Sequence, residues 1–281
     1  MLLREVEYAR ATTIDEAVRL LAEHENARPL AGGQTLVNVM KARIASPDVL
    51  VDINGLEELK RIELGRDGTL ELGSMVTYTE LVSSVEARAR PILGEVAGQI
   101  ADVQVQNRGT VGGNVCSNDP TNHLPPLLVA LDATMTIRGR EGERTVPAED
   151  FFLGVYMTAV GAGELLTTIT IPPARGAGDG FAAVTVGKEG TCIVSACASV
   201  DGDGPRIVLG CVSAVPVRLT EMEARLNGGE LSDDAVRAAA RGVGASLDPP
   251  ADVHASSDYR RHLGEVLARR AVLQAAQRAR S

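Results

Sequence analysis

The feature that most constrains this chain is a glycine-centred stretch from Asn107 to Pro126, which reads NRGTVGGNVCSNDPTNHLPP. It lies between a helix-like segment, Pro91 to Ile100, and an apolar segment, Leu127 to Leu131. Adjacent glycines let the main chain approach a ligand without an intervening Cβ atom, and they permit a positive φ angle. Successive backbone N–H groups in such a turn form an anion-binding concavity. The alternative interpretation is an ordinary glycine loop between two elements.

A second glycine pair stands far upstream, in Ala31 to Leu36, which reads AGGQTL. It follows a short extended run, Arg28 to Leu30, and precedes a helical pattern of apolar residues. The order strand, Gly-Gly loop, helix directs backbone N–H groups and a helix dipole toward an anion. The spacing is neither GxGxxG nor GxxxxGK(S/T), so it excludes the Rossmann and P-loop classes of nucleotide site. A purely structural glycine loop remains the alternative.

Composition narrows the class of protein. The 281 residues, 44% of them hydrophobic, suffice for one large core or two modest domains. A net charge of −9 argues against nucleic acid as a partner, because a phosphate-backbone binder needs a basic face. No apolar run is long enough to cross a membrane and no basic-then-apolar leader follows Met1, so we expect no membrane insertion and a cytoplasmic location. Aromatic residues make up only 2%, so backbone and aliphatic groups would hold any flat cofactor.

The spacing of cysteine and histidine gives no metal site. The cysteines form no CxxC pair, so free buried thiols are expected rather than zinc or iron–sulfur ligands. No two histidines stand at ligand spacing. The residues concerned are Cys116, Cys192, Cys197, Cys211, His24, His123, His254 and His262.

Local patterns predict an α+β chain in two parts. Glu5 to Ala11 favours an edge strand, and Thr13 with Glu16 matches a capping box that opens a helix. Ala174 to Gly180 is rich in glycine and is predicted to be a linker. Further strands or hairpins are predicted at Val49 to Ile53, Arg61 to Leu72, Thr134 to Val146 and Glu164 to Ile171, and helices at Thr77 to Ser84 and Pro91 to Ile100. After the linker come three predicted strands, Phe181 to Val186, Ile193 to Val200 and Arg206 to Val212, and then three helices, the last from Tyr259 to Arg278.

The two glycine motifs, in this order and separation, resemble the flavin-binding medium subunit of the molybdenum hydroxylases, such as aerobic carbon monoxide dehydrogenase and xanthine dehydrogenase. The matching stretches are LAGGQTLVNVMKARIASPDVLVDINGL, IADVQVQNRGTVGGNVCSNDP, FFLGVYMTAV and GELLTTITIP. The resemblance implies an α+β fold with a two-part PCMH (vanillyl-alcohol-oxidase)-type FAD-binding domain over residues 1–174, in lobes of about 1–55 and 56–174. A small C-terminal α+β domain over 178–281, with a three-stranded sheet plus helices, would follow.

The resemblance also implies cofactors and partners. FAD would sit in this chain. A small subunit would carry two [2Fe-2S] clusters and a large subunit a molybdenum–pterin cofactor, as a dimer of heterotrimers. Electrons would pass from molybdenum through the iron–sulfur centres to the flavin, and then to NAD, quinone or oxygen. The flavin would carry the chemistry, so no catalytic side chain and no metal ligand is expected in this chain.

Site residues follow from the resemblance, position by position. Asp119 would bind a ribose or adenine group, or instead close an Asx turn before Pro120. Leu166 would press on the isoalloxazine ring, a role compatible with core packing. The residues that would wrap the FAD pyrophosphate with backbone N–H groups are Ala31, Gly32, Gly33, Gln34, Thr35 and Leu36. Those that would complete the diphosphate, flavin-side and dinucleotide contacts are Thr110, Gly113, Asn114 and Ala101.

Two departures from the family pattern bear on the site. His123 stands where relatives usually carry an acidic residue that binds a ribose hydroxyl; a histidine nitrogen can accept the same bond, or the residue is structural. Lys188 matches a lysine whose cation would favour a reduced, anionic flavin. The aspartate and aromatic expected shortly after it are Thr191 and Cys192. Two alternatives stay open: a free-standing flavin oxidase of the vanillyl-alcohol type, and a non-catalytic module that has lost its flavin.

Overall fold

A computed structural model describes residues 3–187, 190–202 and 204–280 of the chain. The first lobe is built on a three-stranded parallel sheet whose strand order is β1-β3-β2. Its elements are β1 (Glu7–Arg10), α1 (Ile14–Glu23), β2 (Ala27–Leu30), α2 (Leu36–Lys41) and β3 (Val49–Asp52). The predicted edge strand is confirmed as β1. Parallel strands end on the same side of a sheet, so the loops after β2 and β3 lie together at its carboxyl edge.

The start of α1 agrees only in part with the predicted capping box. The hydroxyl of Thr13 accepts a hydrogen bond from the N–H of Glu16 at 3.1 Å, as an N-cap should. The carboxylate of Glu16 instead accepts from the backbone N–H of Thr12, at 2.8 Å. A complete box occurs further on, where Thr77 and Glu80 cap each other's backbone at the start of the helix Tyr78–Ser83.

The second lobe is a five-stranded antiparallel sheet in the order β4-β5-β10-β6-β7, covered by short helices. Its strands are β4 (Ile62–Leu64), β5 (Leu70–Gly73), β6 (Thr134–Gly139), β7 (Gly142–Pro147) and β10 (Leu165–Ile171), with a small hairpin of β8 (Phe152–Gly154) and β9 (Met157–Thr158). Its helices are α3 (Tyr78–Ser83), α4 (Pro91–Ala97), α5 (Val103–Gln106), α6 (Val111–Ser117), α7 (Leu124–Ala130) and α8 (Ala148–Phe151). Short 3₁₀ turns occupy Glu57–Lys60 and Glu86–Ala89.

The sequence of the Gly112-Gly113 pair suggested a loop, but the structure places the pair in a helix. Gly112 and Gly113 occupy the first turn of α6, for which Thr110 is the N-cap residue. The predicted loop was wrong because glycine is a poor helix former. Here the hydroxyl of Thr110 accepts from the N–H of Gly113 at 3.0 Å and stabilises the turn.

The C-terminal part is a four-stranded antiparallel sheet, β11-β12-β13-β14, with helices packed on it. Three strands were predicted; the short β14 is the addition, and it pairs with β13. The elements are β11 (Gly178–Val186), β12 (Thr191–Asp201), β13 (Gly204–Gly210), β14 (Val217–Arg218), α9 (Thr220–Leu226), α10 (Asp233–Ala240), a 3₁₀ turn at Val243–Ser246, and α11 (Ser257–Ala279). None of the described helices is long and apolar enough to cross a membrane.

The predicted linker from Ala174 to Gly180 is shorter in the structure, because Gly178 and Gly180 belong to β11. A Cβ atom built on Gly178 would lie 2.0 Å from the carbonyl oxygen of Ala275, and one on Gly180 would lie 2.0 Å from that of Ala271. These glycines therefore allow β11 to touch α11 closely. Composition alone does not separate such a contact from flexibility.

The C-terminal sheet is buried on both faces. One face packs on α11 and its neighbouring helices, around residues such as Leu267 and Ala271. From the other face Phe181, Cys197 and Val208 join the core of the second lobe. All four cysteines are free thiols.

A buried ion pair crosses the same contact. Arg90, which precedes α4, bonds through a terminal nitrogen to Asp179 of β11 at 3.3 Å, and its Nε lies 3.2 Å from the other carboxylate oxygen. Burial raises the pKa of Asp179, against the opposing pull of Arg90. The contact between the two parts thus combines apolar packing with a buried charge pair.

Candidate functional site

The first glycine motif forms an open row of backbone donors at the carboxyl edge of the parallel sheet. In the described part of the chain, the N–H groups of residues 31–36 donate no hydrogen bond. Gly33 has a φ angle of +72°, which an L side chain rarely adopts. Unbonded N–H groups at adjacent positions, with no charged side chain among AGGQTL, suit the oxygens of an anion.

A polar network under the sheet holds this row in place. The side-chain amide of Asn54 donates to the carbonyl oxygens of Leu30 and Ala31, at 3.1 and 3.0 Å. Asp52 accepts from the backbone and side-chain nitrogens of Asn54 at 2.9 and 2.7 Å, and from the hydroxyl of Tyr8. Burial acts to raise the pKa of Asp52, but the bonds from Tyr8 and Asn54 outweigh it and leave that pKa below its usual value. The ionised carboxylate therefore fixes Asn54, which fixes the loop.

The second motif has already used most of its backbone donors. The N–H groups of Val111 and Gly112 bond to the carbonyl oxygens of Val76 and Ser74, both at 2.8 Å. A Cβ atom on Gly112 would lie 2.5 Å from Ser74, so this glycine serves close packing. The expectation of a backbone anion cradle here is therefore not met at these positions, because the protein itself supplies the acceptors.

The two glycine motifs meet directly. A Cβ atom built on Gly32 would lie 1.9 Å from the carbonyl oxygen of Arg108, which leads into the second motif. A Cβ atom on Gly113 would lie 4.0 Å from the Cβ of Ala31 and 2.8 Å from the hydroxyl of Thr110. Folding thus brings together two motifs that are more than seventy residues apart in the chain.

Asn114 carries an unused acceptor inside this junction. Its side-chain nitrogen donates to the hydroxyl of Tyr78 at 3.0 Å, while its buried Oδ1 has no partner among the residues that the structure describes. A buried polar atom left unpaired costs roughly 1–3 kcal/mol, so a ligand that donates to Oδ1 would recover that free energy. Burial raises the pKa of Tyr78 to about 12, so it stays a neutral hydroxyl beside Asn114.

A cavity of about 150 Å³ opens beside the junction. Its lining is polar except for one methionine, and it includes two cations and one carboxylate. The lining residues are Asn54, Lys60, Met75, Thr77, Glu80, Asn107, Arg108 and Thr110. Only Thr110 was predicted from the sequence. Asn54 was detectable in principle, because it follows β3 at the edge where the first glycine loop lies.

The remaining predicted site residues fall into different surroundings. Asp119 closes the Asx turn that was its alternative, with Oδ1 accepting from the N–H of Thr121 at 2.9 Å, and its Oδ2 accepts from Tyr156 at 3.1 Å. Ala101 has a φ angle of +50° and is half-buried in a turn after α4. Leu166 is buried in the core of the second lobe. Lys188 lies outside the described residues.

His123 is buried at the contact between the second lobe and the C-terminal sheet. Its ring meets that of Phe181 edge-on, with centroids 5.2 Å apart, and its Nδ1 has no hydrogen-bond partner. Cys192 lies close by. A hydrogen bond from Cys211 lowers the pKa of Cys192 by more than burial raises it. Together with His123, this bond brings the pKa of Cys192 to about 6. The ribose contact suggested for His123 remains a prediction; the free Nδ1 is the atom that would make it.

Comparison with known proteins identifies the fold. The family described as "FAD binding domain in molybdopterin dehydrogenase" matches residues 4–174, and the "CO dehydrogenase flavoprotein C-terminal domain" matches residues 177–275. The chain is 34% identical to the glyceraldehyde dehydrogenase medium chain of Sulfolobus acidocaldarius, over 95% of this chain and 97% of that one. It is 36% identical to the carbon monoxide dehydrogenase medium chain of Hydrogenophaga pseudoflava, over 95% of each.

A solved structure agrees with these sequence matches. The carbon monoxide dehydrogenase of Hydrogenophaga pseudoflava that lacks the Mo-pyranopterin moiety superimposes with a TM-score of 0.94 at 35% identity, covering 99% of both chains. The predicted family and the predicted two-domain α+β FAD-binding fold are therefore confirmed. The two relatives named above are medium chains of dehydrogenases, and this chain belongs to the same family, the FAD-binding medium subunits of the molybdenum hydroxylases.

Proposed function

We propose that this chain takes electrons from [2Fe-2S] centres of a partner subunit, through bound FAD, and passes them to an external acceptor such as NAD, quinone or oxygen. The observation that carries the proposal is the row of unbonded N–H groups at residues 31–36, at the carboxyl edge of a parallel sheet. FAD supplies the redox chemistry when bound, and the protein sets its position and surroundings.

The donor set fits the cofactor. The N–H groups of Ala31 to Leu36 would hold the diphosphate, since Gly33 leaves the approach free of a side chain. Asn114 would accept a hydrogen bond through its buried Oδ1. Thr110 and Gly113 would border the same group, while Ala101 would line the dinucleotide with its main chain. Within the proposal, Asp119, His123, Leu166 and Lys188 keep the flavin and ribose roles that the family resemblance gives them.

The absorption spectrum tests the cofactor. The purified chain, or the apo chain after incubation with FAD, should show the visible bands of a flavin in a one-to-one ratio. A chain that binds no FAD at micromolar concentration would favour a module that has lost its flavin.

We also propose two partner chains, an iron–sulfur small subunit and a molybdenum–pterin large subunit, in a dimer of heterotrimers in the cytoplasm. Relatives that are named medium chains or medium subunits support a multi-subunit assembly. Free thiols support a reducing compartment. Within this chain, residues 1–174 and 178–281 would be the two domains.

Assembly is tested by what purifies with the chain. Expressed with its genomic neighbours, it should carry iron and molybdenum in stoichiometric amounts, while the chain alone should not oxidise a substrate that reacts at molybdenum. Ordinary turnover of an alcohol or amine by the isolated chain would instead establish a free-standing oxidase.

A further inference from the structure

We propose that Arg108 supplies the positive charge that balances the diphosphate of FAD, with the cavity beside Thr110 as the place where guanidinium and phosphate meet. The inference rests on the proposed function, because it assumes that FAD binds at the junction of the glycine motifs. It adds Arg108, which is not among the site residues predicted from the sequence.

Charge is what the glycine motifs themselves lack. Neither AGGQTL nor GTVGGNVCSN contains a charged residue, so the unbonded N–H groups of AGGQTL would face two phosphate charges without a cation. An anion moved out of water needs a paired charge as well as hydrogen bonds. Arg108 stands immediately before the second motif, and its carbonyl oxygen faces Gly32 of the first. It is therefore adjacent to both.

The ionic state of the cavity favours Arg108 over the other charged groups there. Lys60 is paired with Glu57 at 2.7 Å. The carboxylate of Glu80 accepts from the N–H and the hydroxyl of Thr77, at 2.8 and 2.7 Å, and stays part of the helix cap. Among the residues that the structure describes, none forms an ion pair or a side-chain hydrogen bond with Arg108. Its five N–H donors are thus available, in a fork that matches phosphate oxygens.

The shape and polarity of the cavity agree with a phosphate rather than the flavin ring. It borders Thr110 of the second motif, and it borders Asn54, whose amide holds the carbonyl of Ala31. Its one apolar lining side chain, Met75, gives too little apolar surface for a tricyclic ring. A polar, cation-lined cavity at the junction of the two motifs, one of which offers unbonded N–H groups, suits the diphosphate.

The test is FAD binding by the full-length apo chain, followed through flavin fluorescence in wild type, Arg108→Gln, Arg108→Lys and Arg66→Gln. Arg66 is the matched control: it is exposed, lies in the β4–β5 hairpin, and loses the same charge. Loss of a charge-assisted bond should raise the Kd of Arg108→Gln roughly 10- to 100-fold. The Kd of Arg108→Lys should lie between those of wild type and Arg108→Gln, since lysine keeps the charge but not the forked set of N–H donors. The Kd of Arg108→Gln should also respond less to added NaCl.

The outcomes separate the inference from the function beneath it. Thermal unfolding of the apo variants should match wild type, because Arg108 is exposed and supports no described side chain. If wild type binds FAD and Arg108→Gln binds equally well, the inference is wrong while the function stands. Equal weakening by Arg66→Gln would also overturn it, because the effect would then be long-range charge alone. Failure of wild type to bind FAD would refute the proposed function itself.

Discussion

At Gly33 and Gly32 two neighbouring glycines meet different physical demands. Gly33 has a φ angle of +72° and borders only the side chains of Val37 and Leu30. Gly32 abuts backbone, so any Cβ there would collide with the carbonyl of Arg108. A Gly-Gly pair in the sequence therefore predicts that another group lies close to the main chain, but it does not show whether that group belongs to a ligand or to the protein itself. Gly112 and Gly113 divide in a similar way.

Gly33→Val should abolish FAD retention while costing only moderate stability. The substitution forces an L side chain into the left-handed region, at about 1–2 kcal/mol per residue, and places a branched group beside the row of free N–H groups. Gly176→Val is the control, because Gly176 has a φ angle of +80° with open space around its Cβ position. Flavin content after gel filtration and the apo melting temperature measure the two effects. A Gly33→Val chain with a full complement of flavin would remove this loop from the site.

Asp52 gives a pH dependence with a defined sign. Its folded-state pKa is lowered, so the ionised form stabilises the native state fully above the unfolded pKa of about 3.9. That contribution is lost as the pH falls through the folded pKa. Asp52→Asn should lower the free energy of unfolding of the apo chain at pH 7, and the gap to wild type should close below about pH 4. Urea unfolding at pH 7, 5 and 3.5 measures it. A gap that does not change with pH would mean that the carboxylate charge is irrelevant.

At the scale of elements, sequence patterns predicted most strands and helices but not how closely they touch. Periodicity predicted α11 and the hairpin of β6 and β7, because a helical apolar stripe and an alternation of apolar and polar residues can both be read from the sequence. The start of β11 was not predicted, because glycines such as Gly178 and Gly180 are typical of turns. In the structure they instead allow the strand to contact the helix closely. The Arg108 cavity was missed for a related reason: Asn54, Lys60 and Arg108 converge only when the lobes are folded. The two glycine motifs are visible in the sequence, but their contact in the folded chain is not.

Gly180→Ala should separate β11 from α11. The new Cβ would lie 2.0 Å from the carbonyl oxygen of Ala271. Neither backbone can move away easily, because one belongs to a strand and the other to a helix. Overpacking of this kind costs typically about 1–3 kcal/mol. Gly202→Ala, at an open position with nothing near its Cβ, should change stability little. Thermal and urea unfolding compare the pair, and equal stability of the two variants would show that the strand can shift without cost.

At the scale of the whole molecule, the buried pair of Arg90 and Asp179 ties the second lobe to the C-terminal sheet. A second, more exposed link joins Arg206 of β13 to Asp132 at 3.0 Å. The two differ in burial, so the same substitution at each separates the effect of burial from that of charge. Arg278 of α11 adds a bond to Glu95 at 2.8 Å across the same contact.

Arg90→Met should destabilise the chain by about 3–5 kcal/mol, because it leaves the Asp179 carboxylate buried and unpaired. Arg206→Met, at the exposed link, should cost about 1 kcal/mol or less. The double variant Arg90→Met with Asp179→Leu should recover most of the loss, since no buried charge remains. Chemical unfolding of these three variants and of wild type measures the two losses and the recovery, and the Asp179→Leu single variant completes the cycle that gives the coupling energy. Similar costs for the two single arginine variants would refute the buried pair as a principal tie.

The C-terminal sheet is covered on both faces, and its two faces are covered at different times during synthesis. The core of the second lobe needs Phe181, Cys197 and Val208, but the other face of the same sheet is covered by α11, which ends at Ala279. About seventy residues separate Val208 from Ala279, which at about 5–20 residues per second of synthesis leaves about 4–14 s. For that time the nascent chain presents an apolar sheet face to solvent. We expect the newly made chain to engage a chaperone that binds exposed apolar surface until its last helix emerges.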